Sequence, residues 1–157
     1  MSWLRSLLES LLPRRLYAIL LKSYHYLWVF GSALFCGFPA RKLTVIGVTG
    51  TKGKSSVSEM LFAILRHAKY STAVAGTIRF AVNEESRPNL FKMTMQGRGF
   101  LQSFLASAVQ KGAQYAIVEL TSEGAVQNRH LFLDMDALIF TNLQREHIES
   151  HGSIEHY

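Results

Sequence analysis

The sequence has a single cysteine, Cys36, and only three prolines among its 157 residues. One cysteine excludes both an internal disulfide framework and a zinc site built from several cysteines, and it suits a reducing compartment. Charged residues are also scarce, at 18%, whereas apolar residues make up 48%. Such a chain can bury enough apolar surface to offset its conformational entropy, so intrinsic disorder is excluded for most of it.

Acidic residues are almost missing from the first 42 positions. This segment holds six basic residues and only Glu9 as an acid, so it carries +5 of the net charge of +6. Residues 43–157 are nearly neutral and show no basic face of the kind that a nucleic-acid-binding domain needs. We therefore expect no nucleic-acid partner, and the basic tail points to an anionic membrane surface or an acidic partner.

Residues 1–42 form a basic and apolar segment that is predicted to be helical. Trp3 and several leucines share one helical face over residues 3–12, and a second, more apolar stretch runs from Leu16 to Phe38. The longest uncharged run, residues 23–40, is barely long enough to span a bilayer. Three interpretations stay open: a secretory signal, for which the cleavage site fits poorly; a membrane-associated or marginally spanning helix; and helices that pack on the following domain.

Residues 43–157 alternate between apolar strands and amphipathic helices. The pattern predicts strands at 43–48, 72–76, 115–120 and 137–140, and helices from near Lys54 to Ala68 and over 100–109. This alternation predicts an α/β fold with a mainly parallel sheet and helices on both faces. Ligands of such sheets bind at the carboxyl ends of the strands, and the polar clusters of this chain lie at those ends.

A glycine-rich segment joins the first predicted strand to the first predicted helix of this body. Glycine lets backbone N–H groups approach phosphate oxygens, Lys54 can reach the β- and γ-phosphates, and the Ser55 hydroxyl can bind Mg²⁺. The pattern is a shortened phosphate loop, because Val48 stands where the common form has its first glycine. An ordinary glycine turn before a helix is the alternative. The candidate phosphate-binding residues are Gly50, Thr51, Lys52, Gly53, Lys54, Ser55 and Ser56.

Further polar residues follow the later strands. Glu119 ends an otherwise apolar strand, where its carboxylate could hold Mg²⁺ or simply form a salt bridge. Arg129, expected with Gln127 on a short helix, could bind a carboxylate or phosphate in bidentate fashion or be a solvated surface residue. His147 and His151 have a zinc-like spacing but no third ligand, so contact with Mg²⁺ or polar packing is the better interpretation.

Three ordered motifs of residues 43–157 resemble the central ATPase domain of the Mur ligases, and most closely the branch of tripeptide synthetases. The first is the segment from Thr49 to Ser56, and the second is Glu119-Leu120-Thr121-Ser122 with Arg129 ten residues after the glutamate. The third begins with Thr141-Asn142-Leu143 and continues through residues 146–157. The resemblance implies a fold like that of the phosphate-loop NTPases, preceded here by N-terminal helices.

The resemblance also implies an activity and a set of site residues. Ligases of this kind use ATP and Mg²⁺ to convert a substrate carboxylate to an acyl phosphate, which the amine of an amino acid then attacks. Lys54, Glu119 and His147 would be catalytic; Ser55 would bind one Mg²⁺, and Glu119 with His147 would bind the second. The muramyl-peptide precursor would contact four further positions, which are Thr94, Thr121, Gln127 and Arg129. The implied location is the cytoplasm, with residues 1–42 able to touch the inner face of the membrane.

The sequence departs from the family pattern in several places. Met95 and Glu123 stand where the family usually has a threonine and a histidine, and residues 1–42 replace the usual domain that holds the UDP group. The family's carbamylated lysine would lie about one helical turn beyond Tyr157. We therefore expect residues 43–157 to be the N-terminal part of an ATP-binding domain that needs further sequence or a partner chain for turnover. A nucleotide-binding module without turnover and a different phosphate-loop kinase are the alternatives.

Overall fold

The computed structural model describes residues 13–91, 93–97 and 99–144. Its helices are α1 (Arg14–Phe35), a 3₁₀-helix (Pro39–Lys42), α2 (Lys54–His67), α3 (Phe100–Gln110) and α4 (Ser122–Val126). Its strands are β1 (Thr44–Thr49), β2 (Thr72–Ala75), β3 (Arg79–Val82), β4 (Glu85–Pro88), β5 (Tyr115–Glu119) and β6 (Ala137–Phe140). The first predicted helix, residues 3–12, lies outside the described residues.

The strands form one mixed sheet in the order β4-β3-β2-β5-β1-β6. The four predicted strands are all present, and they pair in parallel, with β5 between β2 and β1. The β3–β4 hairpin, which adds two antiparallel strands at one edge, is not predicted from the sequence. Its two strands have only four residues each, which is too short for a clear periodic pattern, and β4 is exposed throughout.

Two hydrophobic cores lie on opposite faces of this sheet, because successive side chains of a strand point to opposite sides. Val48, Val74 and Ile117 face α2 on one side. Val45, Ala73 and Val118 face α3 and the 3₁₀-helix on the other side. The prediction of helices on both faces of a mainly parallel sheet is therefore confirmed.

The α1 helix packs on the same side as α3, but only along part of its surface. Val29 and Ala33 are buried, and Phe30 contacts Phe132 and Phe38 through tilted ring pairs. Packing on the following domain, one of the three interpretations of this segment, therefore holds for the inner face of α1. In the described part of the chain, no helix combines the length and the apolar character that crossing a bilayer requires.

The β6 strand lies at the other edge of the sheet and is less buried than its sequence suggests. Leu138 and Phe140 are 56% and 61% exposed, although the same strand provides Ile139 to the core beneath α2. The apolar run correctly predicted a strand, but it could not distinguish a central strand from an edge strand. The exposed side chains form a wall of the cleft described below.

Leu105 tests the placement of the larger core, because its side chain is fully buried between α3 and the sheet. We expect Leu105→Ala to lower the free energy of unfolding by about 2–5 kcal/mol, since it removes buried methyl groups and leaves a cavity. Met60, which is exposed on α2, provides the control, and Met60→Ala should change stability by less than about 1 kcal/mol. Urea unfolding measures both values, and equal losses would contradict the assignment of this core.

Candidate functional site

The glycine-rich loop lies between β1 and α2, in the strand–loop–helix context that a phosphate loop requires. Gly50 and Gly53 both have positive φ angles, of 133° and 83°, which side-chain-bearing residues adopt only with strain. A side chain at Gly50 would also overlap the Thr141 hydroxyl. The first turn of α2 leaves the N–H groups of Lys54, Ser55 and Ser56 without partners within the helix, so they are suited to bind an anion.

Three residues that follow β6 hold this loop in place, and we call Thr141, Asn142 and Gln144 the loop clamp. The Lys52 N–H donates to Asn142 Oδ1 over 3.0 Å, and Asn142 Nδ2 donates to the Lys52 carbonyl over 3.1 Å. The Thr141 hydroxyl donates to the same carbonyl over 2.6 Å, and the Gln144 N–H donates to Thr51 Oγ1. The loop is therefore fixed from the neighbouring strand β6, not only by its own sequence.

Lys54 and Ser55 occupy the first turn of α2 and point to different partners. Lys54 Nζ donates to the carbonyl oxygens of Gly50 and Thr51, over 2.6 and 3.1 Å, so the ammonium group lies against the loop. The Ser55 hydroxyl donates to Glu119 Oε2 over 3.1 Å. The structure thus brings together three residues that the sequence analysis assigned to phosphate and magnesium.

Glu119 lies at the end of β5, and its side chain is only 2% exposed. Among the described residues it forms no salt bridge, and hydroxyl groups hold it instead. Thr77 donates to the same Oε2 atom as Ser55, over 2.8 Å. The other oxygen, Oε1, lies against Gly76, where any Cβ atom would overlap it. Burial of a carboxylate is costly without hydrogen bonds, so this arrangement fixes its orientation.

The predicted substrate residues lie across from the phosphate loop, but they differ in their contacts. Thr94 is within 2.8 Å of the Thr77 hydroxyl, whereas Thr121 caps α4 by accepting a hydrogen bond from the Gly124 N–H over 3.1 Å. Arg129 donates to the Met95 carbonyl and to Gln127 Oε1, so Gln127 orients the arginine.

The expectation that Gln127 and Arg129 lie on a short helix is wrong, because α4 ends at Val126 and both residues follow it. Asn128, between them, has a positive φ of 58°, which is incompatible with a continuing helix. Arg129 is half-buried, and burial lowers the pKa of its guanidinium, an effect that the Glu123 carboxylate partly offsets. Arg129 is therefore not a fully solvated surface residue.

An open cleft of about 670 Å³ connects the phosphate loop to these residues. Gly50 and Lys54 line it on the loop side, and Thr94, Thr121 and Arg129 line it on the other side. Its apolar wall combines three methionines with the exposed side chains of β6 and of the residues after it: Met93, Met95, Met135, Leu138, Phe140 and Leu143. One cleft therefore contains both the candidate phosphate-binding group and the candidate substrate-binding group.

Two residues of the site, Gly76 and Thr77, and the individual contacts of Asn142 are not predicted from the sequence. Thr77 follows β2, which neighbours β5 in the sheet, so the strand-end rule applied to β2 would have identified it. The contacts of Asn142 depend on β6 pairing with β1, which no local pattern reveals. His147 lies outside the described residues, as does His151.

Oxygen donors from Ser55 and Glu119 are the ligand type that Mg²⁺ prefers. Lys54, the turns at Gly50 and Gly53, and the free N–H groups of α2 suit the phosphates of a nucleotide. The residues present therefore fit a magnesium–nucleotide complex at the carboxyl edge of the sheet.

The Asn142 side chain can be tested without any ligand. Asn142→Ala removes the acceptor of the Lys52 N–H but leaves the Asn142 carbonyl, which accepts from the Thr51 N–H. We expect amide hydrogen exchange at Lys52 to accelerate by about 5- to 30-fold, the equivalent of about 1–2 kcal/mol. Exchange at Thr51 should change much less, and Gln110→Ala, at the exposed end of α3, should change neither. Unchanged exchange at Lys52 would contradict the loop clamp.

Comparison with known proteins agrees with this geometry. The family model of the Mur ligase middle domain matches residues 48–157. The UDP-N-acetylmuramyl-tripeptide synthetase of Borreliella afzelii is 36% identical over 129 residues, which cover 80% of this chain and 26% of that protein. The UDP-N-acetylmuramoyl-L-alanyl-D-glutamate–2,6-diaminopimelate ligase of Ectopseudomonas mendocina is 38% identical over 123 residues, or 78% of this chain and 25% of that protein.

A solved structure gives the same result at the level of the fold. A UDP-N-acetylmuramoyl-L-alanyl-D-glutamate–2,6-diaminopimelate ligase superimposes with a TM-score of 0.69 and 27% identity, over 83% of this chain and 27% of that one. The chain thus spans about a quarter of the length of the relatives that it matches. Because the matched family model covers most of the residues, the chain belongs to the family of the Mur ligase middle domain.

Proposed function

We propose that this chain is the phosphate-binding part of an ATP-dependent ligase that adds an amino acid to a muramyl-peptide precursor of peptidoglycan. The proposal rests on one observation. Lys54 and the hydrogen-bonded pair of Ser55 and Glu119 lie beside one cleft, and Thr94 and Arg129 line the same cleft. The relatives are named as a tripeptide synthetase and as diaminopimelate ligases, which supports the class of reaction. The proposal concerns the phosphate-binding part alone, because the chain spans about a quarter of the length of these relatives.

The reaction would bring two anions together, the substrate carboxylate and the γ-phosphate of ATP. Attack by the carboxylate oxygen gives an acyl phosphate and ADP, and attack by the amine then gives the amide and releases phosphate. Lys54 would leave its carbonyl partners in the loop and neutralise the transferring phosphate, as positive groups do in phosphoryl transfer. The N–H groups of the loop and of the α2 first turn would hold the other phosphate oxygens.

Ser55 would hold one Mg²⁺ ion, and Glu119 with His147 would hold a second. When bound, these ions would supply charge screening between the carboxylate and the phosphates. Arg129 would bind a carboxylate of the precursor, with Gln127 fixing the plane of its guanidinium. Thr94 and Thr121, which line the same side of the cleft as Arg129, would contribute hydroxyl groups to the same substrate.

Lys54 provides the most direct test of nucleotide binding. We expect Lys54→Ala to weaken ATP·Mg binding by about 10- to 100-fold, because it removes a charged hydrogen bond to the phosphates. Isothermal titration calorimetry measures this effect. Lys111→Ala, which removes the same charge from an exposed ion pair with Glu85, should leave the affinity within about twofold.

Adenosine serves as the ligand control. Because the binding energy should come from phosphates, wild-type protein should bind adenosine far more weakly than ATP·Mg. Equal affinity for the two ligands would contradict the phosphate loop. If the protein transfers phosphate from ATP to a substrate hydroxyl group and forms no amide, the kinase alternative is favoured instead.

We also propose that residues 1–42, the segment that precedes the body of residues 43–157, contact an anionic membrane surface through the outer face of α1, while its inner face packs on the body. The outer face of α1 supports this idea, because large apolar side chains point away from the body along its whole length. Leu27 is 64% exposed and Phe35 is 94% exposed, and the aromatic residues Tyr24 and Trp28 lie beside them. Residues 13–42 contain five basic residues and no acid, which suits anionic headgroups. Such contact would hold the body at the cytoplasmic face of a membrane.

Point substitutions test this contact better than deletion, because Val29 and Ala33 of α1 are part of the packed interior. We expect Leu27→Ser with Phe35→Ser to weaken sedimentation with phosphatidylserine-containing vesicles by about tenfold or more, through lost apolar burial. Met60→Ser with Ile64→Ser is the control, since those two apolar side chains are also mostly exposed, at 64% and 63%, but lie on α2. Binding should also fall in high salt. If the wild-type chain does not sediment with these vesicles, or if both double variants lose binding equally, the proposed membrane contact is contradicted.

A further inference from the structure

Thr77 has no role in the site as the sequence predicted it, yet it contacts both halves of that site. It lies in the turn between β2 and β3, which we call the β2–β3 turn (residues 76–78). Its hydroxyl donates to Glu119 Oε2 over 2.8 Å, and it lies 2.8 Å from the Thr94 hydroxyl. Thr77 therefore connects Glu119, a candidate magnesium ligand, to Thr94, a candidate substrate-binding residue.

The number of protons fixes the direction of these hydrogen bonds. A threonine hydroxyl has one proton, and Thr77 uses it toward Glu119. Thr94 must then donate to Thr77, so the chain of hydrogen bonds runs from Thr94 through Thr77 to Glu119. Ser55 donates to the same carboxylate oxygen from the phosphate-loop side. Glu119 Oε2 is thus the shared acceptor of two hydroxyls from opposite sides of the site.

The β2–β3 turn constrains both oxygen atoms of the carboxylate. Thr77 binds Oε2, while Gly76 leaves just enough room for Oε1, because any Cβ atom at Gly76 would overlap it. Ser55 is itself a candidate magnesium ligand. When magnesium is present, the Ser55 hydroxyl must therefore bind the ion as well as donate to Glu119. Thr77 is not a candidate ligand and can hold Oε2 in both situations.

We propose that Thr77 is a positioning residue that orients Glu119 for a divalent cation and couples this orientation to Thr94. The inference rests on the proposed function, because it assumes that Ser55 and Glu119 hold a metal–nucleotide complex. Groups that orient a metal ligand usually contribute about 10- to 100-fold to metal affinity. Thr77 acts through Glu119, so its loss should affect the cation and not the contact of the nucleotide with the loop.

The test uses Mn²⁺ with ATP and an excess of the full chain over both, because nucleotide left in solution binds Mn²⁺ by itself. Electron paramagnetic resonance distinguishes Mn²⁺ held on the protein from free Mn²⁺ and from Mn²⁺ on ATP in a matched sample without protein. Thr77→Val keeps the shape of the side chain but removes the hydroxyl, and we expect Mn²⁺ affinity to fall by about 10- to 100-fold. Thr77→Ser restores the hydroxyl and should stay within about threefold of wild type. ATP affinity without metal should be the same for all three proteins, and urea unfolding should give the same midpoint.

The outcomes separate this inference from the proposed function. Wild-type protein that binds no Mn²⁺ with ATP would overturn the proposed function, and with it the role of Thr77. If wild type binds Mn²⁺ and Thr77→Val binds it equally well, only the positioning role is overturned. The role is also overturned if Thr77→Ser is as weak as Thr77→Val, or if metal-free ATP affinity falls together with Mn²⁺ affinity, since either result indicates a merely structural effect.

Discussion

The buried carboxylate of Glu119 is the constraint on which the arrangement of this site depends. A carboxylate that is 2% exposed needs hydrogen-bond donors, and the described residues satisfy it with the hydroxyls of Ser55 and Thr77. These donors come from α2 and from the turn after β2, so both must meet the end of β5. Gly76 completes the arrangement by leaving space for the second oxygen. The sheet order, with β5 between β2 and β1, brings these elements together.

The phosphate loop depends on a second set of contacts, from the opposite side. The loop clamp that follows β6 binds the Lys52 carbonyl and the Thr51 and Lys52 amides. Because β6 pairs directly with β1, the residues after both strands emerge next to each other. The loop is therefore held between α2 on one side and the end of β6 on the other, which keeps its N–H groups oriented before any ligand binds. Such preorganisation is what makes electrostatic stabilisation effective.

Local patterns in the sequence predicted the four parallel strands, α2, α3 and the phosphate loop. These elements show a clear periodicity of apolar residues or are bounded by glycines, and each of these patterns extends over only a few neighbouring residues. The β3–β4 hairpin, the exposure of β6 and the contacts of Thr77 depend instead on which strands become neighbours. Arg129 illustrates the difference: its side chain was identified as a candidate, but its half-buried position beside Gln127 comes from the end of α4.

We propose above all that Ser55 and Glu119 place divalent cations at the edge of the phosphate loop. Crystals of the full chain grown with Mn²⁺ and a non-hydrolysable ATP analogue would test it through anomalous scattering, which locates the metal directly. We expect a manganese peak beside the Ser55 hydroxyl and the analogue's phosphates, on the side of the Glu119 carboxylate. A nucleotide bound in the loop with manganese at other carboxylates, or with no manganese near Glu119, would contradict it.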